Sequence, residues 1–192
     1  MNWLRDNAPL VISTSALFLA FLSFLWTVGT FWWMQWRKGR IQVGPPRSFA
    51  ARGSSDEQLM LYLPLIFFNT GPTPRVIEDL RVVFLGGLDP TPLTYVARGE
   101  ALPGSKPNQD RLFSTQFGIP GRQLVTGVFE FQRRPGKLLF EAKRYNLALE
   151  ARLDGSETWS RLIAAFPLFV SAKYVPQINT VLVTYNNYPD AG

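Results

Sequence analysis

Few residues in this chain are typed and spaced to do chemistry, and the first constraint is what is missing. Its 192 residues include no histidine and no cysteine. That excludes a catalytic imidazole, a thiolate nucleophile, a disulfide framework and the usual nitrogen–sulfur zinc sites. Carboxylate, hydroxyl and ammonium chemistry is left. The segment GEALPGSKP, 99–107, sets Gly99 and Gly104 at the spacing of a phosphate-cradling loop, but Ser105 precedes Lys106. A phosphate loop needs the reverse order, and a following helix whose N-terminal amides face the anion. The segment therefore reads as a mobile loop. Glu78 and Asp79 are adjacent carboxylates in a strand pattern, where neighbours point to opposite faces; without a bulge they share neither a proton nor a metal. Ser171 and Lys173 can be written as a nucleophile–base pair, but no positional signature supports it. Arg133, Arg134, Lys137, Lys143 and Arg144 gather cations around one turn. A solvated hairpin tip is the simpler reading, and contact with anionic headgroups or an acidic partner the functional one. The sequence thus points to no catalytic, cofactor-binding or metal-binding residue, and the chain reads as a non-enzyme.

A membrane pattern is far more distinct. Residues 7 to 36 carry no ionisable side chain. Within Leu10–Met34, LVISTSALFLAFLSFLWTVGTFWWM, 12 of 25 residues are Leu, Ile, Phe or Val, favouring insertion by roughly 4–7 kcal/mol. A cleaved signal peptide has a shorter apolar run, about 7–15 residues, and a small-residue cleavage site; FWWMQW offers none. The expectation is a transmembrane helix over 10–36, after a short flank, 1–9. Trp32, Trp33 and Trp36 form an aromatic belt at headgroup depth, with Trp3 as its opposite number. Arg37, Lys38 and Arg40 open a basic juxtamembrane linker, 37–47, suited to anionic lipid headgroups. With Arg47 and Arg52 they oppose only Arg5 and the amino terminus, so the positive-inside rule places the C-terminal domain in the cytoplasm.

Charge distribution argues against a nucleic-acid partner. Net charge is +6, yet 16 basic and 13 acidic residues share the 152 positions after residue 40. A nucleic-acid reader concentrates its positive charge on the folded domain.

Small residues are sorted along the helix. Ala16, Ala20, Ser23 and Thr27 fall at steps of four, three and four, and Ser13 and Thr30 extend the seam by steps of three. Lipid does not demand such sorting, whereas close approach of a second helix does. The seam is expected to pack on another transmembrane helix, from a second copy or a different membrane subunit. The competing reading is that the hydroxyls bond back to their own helix.

From residue 41 to 192 the periodicity becomes that of strands. IQVGPPRSFA is a strand broken by Gly44-Pro45-Pro46. QLMLYLPLIFFNTG is apolar on both faces, and Pro64 within it requires a bulge or an unpaired edge. NTGPTP is a turn, RVIEDLRVVFLGG a returning strand, and LTYVA a short one. QLVTGVFEFQR sets Val125, Phe129 and Phe131 against Glu130 and Gln132. In YNLALEARL, Tyr145, Leu147, Leu149, Ala151 and Leu153 face in, and Asn146, Ala148, Glu150 and Arg152 face out. Asp154-Gly155 opens a hairpin, TWSRLIAAFPLFV returns, and INTVLVTYN, 178–186, is the last strand. About seven to nine strands without a soluble helix imply an all-β, two-sheet antiparallel sandwich behind one N-terminal transmembrane helix.

The strand order, the NTG turn and the tyrosine of YNL resemble an immunoglobulin-like sandwich on a bacterial single-pass anchor. The resemblance implies that Tyr145 holds the tyrosine-corner position and that Leu147 stands where the family carries a cysteine. No disulfide accompanies it, and no tryptophan lies on the strand from Arg75 to Leu85. The fold is reused too widely to imply an activity. The sequence leads to a non-catalytic accessory or scaffolding subunit of a membrane complex, in a bacterial inner membrane, with the β domain as a protein–protein interaction module. The alternatives are an extracytoplasmic tethered binding or sensory domain, and a hydrolase using carboxylate or Ser/Lys chemistry.

Overall fold

The computed structural model describes residues 3–37, 39–86, 91–100 and 112–188, with side chains from residue 7 onward. Lys38, the Trp3 side chain and most of the 99–107 loop lie outside the described residues. Helix α1, Trp3–Gln35, runs for 33 residues, about 50 Å at the α-helical rise. Its stretch Asn7–Gln35 has a mean hydropathy of 2.0 and is long and apolar enough to cross a membrane. Leu10, Phe18, Leu25 and Trp26 are all exposed. Among the described residues α1 is left uncovered, which a core helix of a soluble protein would not be.

The strands are β1 (Ile41–Val43), β2 (Ser48–Arg52), β3 (Leu59–Asn69), β4 (Arg75–Leu85), β5 (Leu93–Gly99), β6 (Leu112–Phe113), β7 (Phe117–Ile119), β8 (Leu124–Arg133), β9 (Arg144–Leu153), β10 (Ser160–Phe169) and β11 (Val183–Asn186). They do not divide into two sheets. One antiparallel sheet runs β10-β9-β4-β5-β8-β3-β2-β11, with β1 on β3, β6 on β5 and β7 on β4. The bridge is β5, which pairs with β4 at Arg81↔Thr94 and with β8 at Thr94↔Gln132. The sheet curls into a half-barrel around one core, where Leu80, Leu147, Leu149 and Phe166 from one limb join Leu61, Leu65, Phe67 and Phe129 from the other.

Pro64 finds the unpaired edge its missing N–H requires. One side of β3 is paired throughout by β8. On the other, β2 reaches only Met60–Tyr62 and β1 only Phe67–Asn69. The gap falls at Pro64 because Gly44-Pro45-Pro46 separates β1 from β2.

Period-two patterning located the inner face correctly and misread parts of the outer one. Tyr145, Leu147, Leu149 and Ala151 are buried as expected. Ala148 and Glu150, expected in solvent, are buried too, at 0% and 7% exposure. So is Glu130, at 1%, between Tyr62 of β3 and Ala97 of β5. A central strand is flanked by neighbours on both sides, and their long side chains cover its outer face. The last strand is shorter than expected: Ala172–Tyr174 is a 3-10 turn, Val175–Ile178 (α2) one helical turn, and β11 begins only at Val183.

Three asparagine side chains close the curled sheet. Asn69 is fully buried; its amide donates to Thr73 O (2.8 Å) and Ile119 O (3.2 Å) while its carbonyl accepts from Gly71 N (3.0 Å). Asn179 exchanges both bonds with the Phe140 backbone. Asn187 accepts from Phe169 N and donates to Pro46 O and Pro167 O, stitching β10 to the β1–β2 connection. Tyr145 Oη accepts the Glu141 N–H at 2.8 Å, a bond back to the backbone four residues upstream.

Candidate functional site

Several polar contacts join the end of α1 to the β domain. The last carbonyls of any helix lack intrahelical partners. Here Met34 O accepts from Arg122 Nη2 at 2.9 Å, and Arg122 itself holds a left-handed backbone, φ 56°. The Arg37 guanidinium stacks 4.1 Å over Trp33. One residue past Lys38, Gly39 O accepts from Arg75 Nη1 at 2.6 Å, and Arg75 is also paired with Asp154. Arg40 N donates to Thr70 Oγ1 (2.9 Å), and Arg40 O accepts from Thr70 N (3.1 Å). The Gly39 and Gly71 backbones touch: a Cβ on Gly39 would lie 1.9 Å from Gly71 N. Only paired glycines permit that approach. The stretch expected to be a linker, 37–47, is thus folded into the domain from Gly39 onward.

Of the sequence-predicted membrane residues, Trp32, Trp33, Trp36, Arg37 and Arg40 are exposed around this joint. The seam residues Ser13, Ala16, Ala20, Ser23, Thr27 and Thr30 are exposed along α1. Within the single chain, Ser13 bonds to Leu10 O (3.0 Å), Ser23 to Leu19 O (2.9 Å), Thr27 to Ser23 O (2.8 Å) and Thr30 to Trp26 O.

Next to the Pro64 gap lies an open groove of about 1430 Å³. Pro45, Pro46, Ile66, Leu112 and Tyr188 supply apolar walls, and Arg47 and Arg98 the positive charge. Patterning could not find it, because a missing strand segment makes it.

The groupings that suggested chemistry serve the fold. A bulge between Ile77 and Asp79 lets Glu78 and Asp79 both face outward. Glu78 accepts from Gly155 N, and Asp79 from Leu80 N (2.8 Å) and Arg152 (3.2 Å). Among the described residues no three acidic side chains gather to hold a metal. Lys173 lies 5.6 Å over the Tyr174 ring rather than against Ser171. The basic cluster disperses: Arg133 is buried on Gly136 O and Thr91 O, Arg134 reaches Gln58 (2.6 Å), Lys143 pairs with Glu141 and Arg144 stacks on Phe169.

Patterning missed one ionic device. Glu150 lies between Arg81 (2.7 Å) and Arg161 (3.2 Å), and Arg81 stacks 4.1 Å over Trp159. Burial pushes the Glu150 carboxyl up, but the bonds from Arg81 and Arg161 together outweigh it and hold the pKa below the ordinary glutamate value. The folded state therefore binds fewer protons than the unfolded one, so this stability is present above the unfolded pKa, about 4.3, and is lost as pH falls through the folded value. Glu150→Gln is expected to cost about 2 kcal/mol at pH 7, and the gap to wild type to start narrowing near the unfolded pKa, about 4.3, and to close as pH falls through the lower folded value. Thermal melts across that range check it, and an unchanged gap at acid pH refutes the assignment.

No family model matches the chain, and no curated protein matches its sequence. Among solved structures, a Bordetella pertussis protein assigned as ApaA is similar at a TM-score of 0.37 and 12% identity, over 69% of this chain and 95% of its own. A protein from Archaeoglobus fulgidus is similar at 0.33 and 7%, over 80% and 99%. Scores at this level carry no argument about family or activity.

Proposed function

We propose that the chain is a single-pass, non-catalytic membrane protein that holds its β domain at a set height and angle on the bilayer, as an accessory subunit of a larger membrane assembly. The observation that carries this reading is the joint. A tethered sensor needs only a flexible leash, whereas here Arg122 bonds the last turn of the helix, and Arg75, Thr70 and Gly71 hold the chain at Gly39 and Arg40, four and five residues past its end. Rigid presentation is useful where a partner must be met at a defined position, because the geometry is pre-organised rather than ordered on binding. In this reading the seam from Ser13 to Thr30 packs on a neighbouring helix. The cations beyond Trp36 meet anionic headgroups on the cytoplasmic side of an inner membrane, and the groove takes a partner segment. An immunoglobulin-like ancestry is part of the same proposal; Tyr145 and its bond to the Glu141 backbone support it.

The alternative, a ligand-binding tethered domain on the outer side, draws on the groove. One experiment separates them. The tagged chain is extracted in mild detergent and its native size compared with that of Ala20→Ile/Ser23→Leu and of Phe18→Leu. The seam double variant is expected to lose the larger species, at least tenfold, while Phe18→Leu retains it. External protease on intact cells is expected to spare the domain. A monomeric wild-type chain cut from outside supports the alternative and sinks the subunit reading.

A further inference from the structure

The outer face of the sheet beside α1 carries an apolar patch that is left exposed among the described residues. Phe68 of β3 and Leu124 of β8 are directly opposed in register and are 40% and 60% exposed, and Ile66, two residues along, is 55% exposed. Large apolar side chains grouped on the solvent face of two paired strands mark an interaction surface.

Position decides which. Arg122, two residues before Leu124, donates to the carbonyl of Met34 in the last turn of α1. Two strand residues span about 7 Å, so the patch starts within a side chain's reach of the tryptophan belt. Arg40 and Arg122 are exposed beside it, while Asp154, on the same end of the domain, is neutralised by Arg75. An apolar centre with a cationic rim, contiguous with a membrane helix, matches the interfacial layer of an anionic bilayer, into which such faces sink about 5–10 Å.

We propose that this face rests on the membrane, with Phe68 and Leu124 inserted among the headgroups and Arg40 and Arg122 on lipid phosphates, so that the domain lies against the bilayer on its β3–β8 side. The proposal rests on the reading that α1 spans the bilayer, and its test keeps the two apart.

The chain has no cysteine, so single replacements carry a fluorophore without background. Full-length Phe68→Cys, Leu124→Cys, Asp56→Cys and Leu19→Cys are labelled with an environment-sensitive dye. They are then reconstituted in phosphatidylcholine vesicles with and without phosphatidylglycerol, with nitroxide lipids quenching at shallow or central depth. Phe68 and Leu124 are exposed, and a retained β-type circular dichroism spectrum confirms each fold. The expected result is blue-shifted emission and strong shallow quenching at 68 and 124, greater with phosphatidylglycerol. Asp56, on a loop at the other end of β3, is expected to stay in water, and Leu19 to be quenched by the central nitroxide. Labels at 68 and 124 that respond like the one at 56, while Leu19 is quenched, overturn the membrane face and leave the anchor intact. Labels shielded from water but insensitive to lipid nitroxides show a protein on the patch and overturn it equally. A Leu19 label untouched by the central nitroxide overturns the anchor itself.

Discussion

Leu149→Asp is expected to leave no folded β domain. Leu149 has no exposed surface and is paired in register with Val82 on one side and Ile163 on the other, at the centre of the limb β10-β9-β4. Removing a buried leucine costs about 2–5 kcal/mol by itself. The incoming carboxylate meets apolar Val82 and Ile163 as its register partners, so it must take up a proton to stay buried. Shifting its pKa by the 3–5 units seen for fully buried groups costs about 4–7 kcal/mol more. Together, about 6–12 kcal/mol, these are comparable to the roughly 5–15 kcal/mol that holds a typical domain, so little or no net stability remains. Far-ultraviolet circular dichroism and trypsin digestion of the full chain in detergent provide the readout. Leu149→Met, which conserves volume, is expected to lose less than about 1.5 kcal/mol and to fold. A protease-resistant, β-rich Leu149→Asp protein would mean that this face is not the core.

Gly39→Val is expected to detach the domain from its helix without unfolding either. The new Cβ would sit 1.9 Å from Gly71 N and 2.6 Å from Asn69 Oδ1. Neither atom can yield without moving the β3–β4 turn, so the 37–40 segment lifts instead. That forfeits the bonds from Arg75 to Gly39 O, from Arg40 N to Thr70 Oγ1 and from Arg122 to Met34 O. At about 1 kcal/mol net each, the open form gains on the order of 100-fold in population. Trypsin provides the measure, because the Arg40 N–H and carbonyl are both engaged in the closed joint. Cleavage after Arg40 in micelles should accelerate by about that factor where opening limits it. Gly29→Val, on α1 with no atom near its Cβ position, should leave the rate unchanged. Equal rates for wild type and Gly39→Val would show that the joint is already loose, and the rigid-presentation reading would fall with it.

Several features were legible in the sequence because each depends on a local pattern. An uncharged run of this length with tryptophans and cations at its end specifies a helix apolar enough for a bilayer from composition alone. Alternation in YNLALEARL fixes which side of β9 faces the core, since a strand cannot rotate one residue without the next. The absence of histidine and cysteine closes off imidazole and thiolate chemistry whatever the fold. Pro64 announced a missing ladder partner, and the break at Gly44-Pro45-Pro46 supplied it.

The tertiary structure alone decided the rest, because it depends on which distant strands meet. Nothing local in LTYVA says that β5 bridges β4 to β8 and joins two expected sheets into one curled sheet. Glu150 and Glu130 look like solvent residues by alternation; neighbours on both sides bury them, and Arg81 and Arg161, 69 and 11 residues from Glu150, provide its partners. Asn69 was legible only as the start of a turn, and Asn179 and Asn187 carry no motif, yet each bonds backbone from other segments, which only the closed chain brings within reach. Gly39 and Gly71 are ordinary turn residues until the fold presses their backbones together; beside them Arg122 bonds the last turn of a helix 88 residues away, and Arg75 bonds Gly39, 36 residues away. Long-range pairing sets those contacts, and sequence periodicity, a short-range signal, contains no record of it.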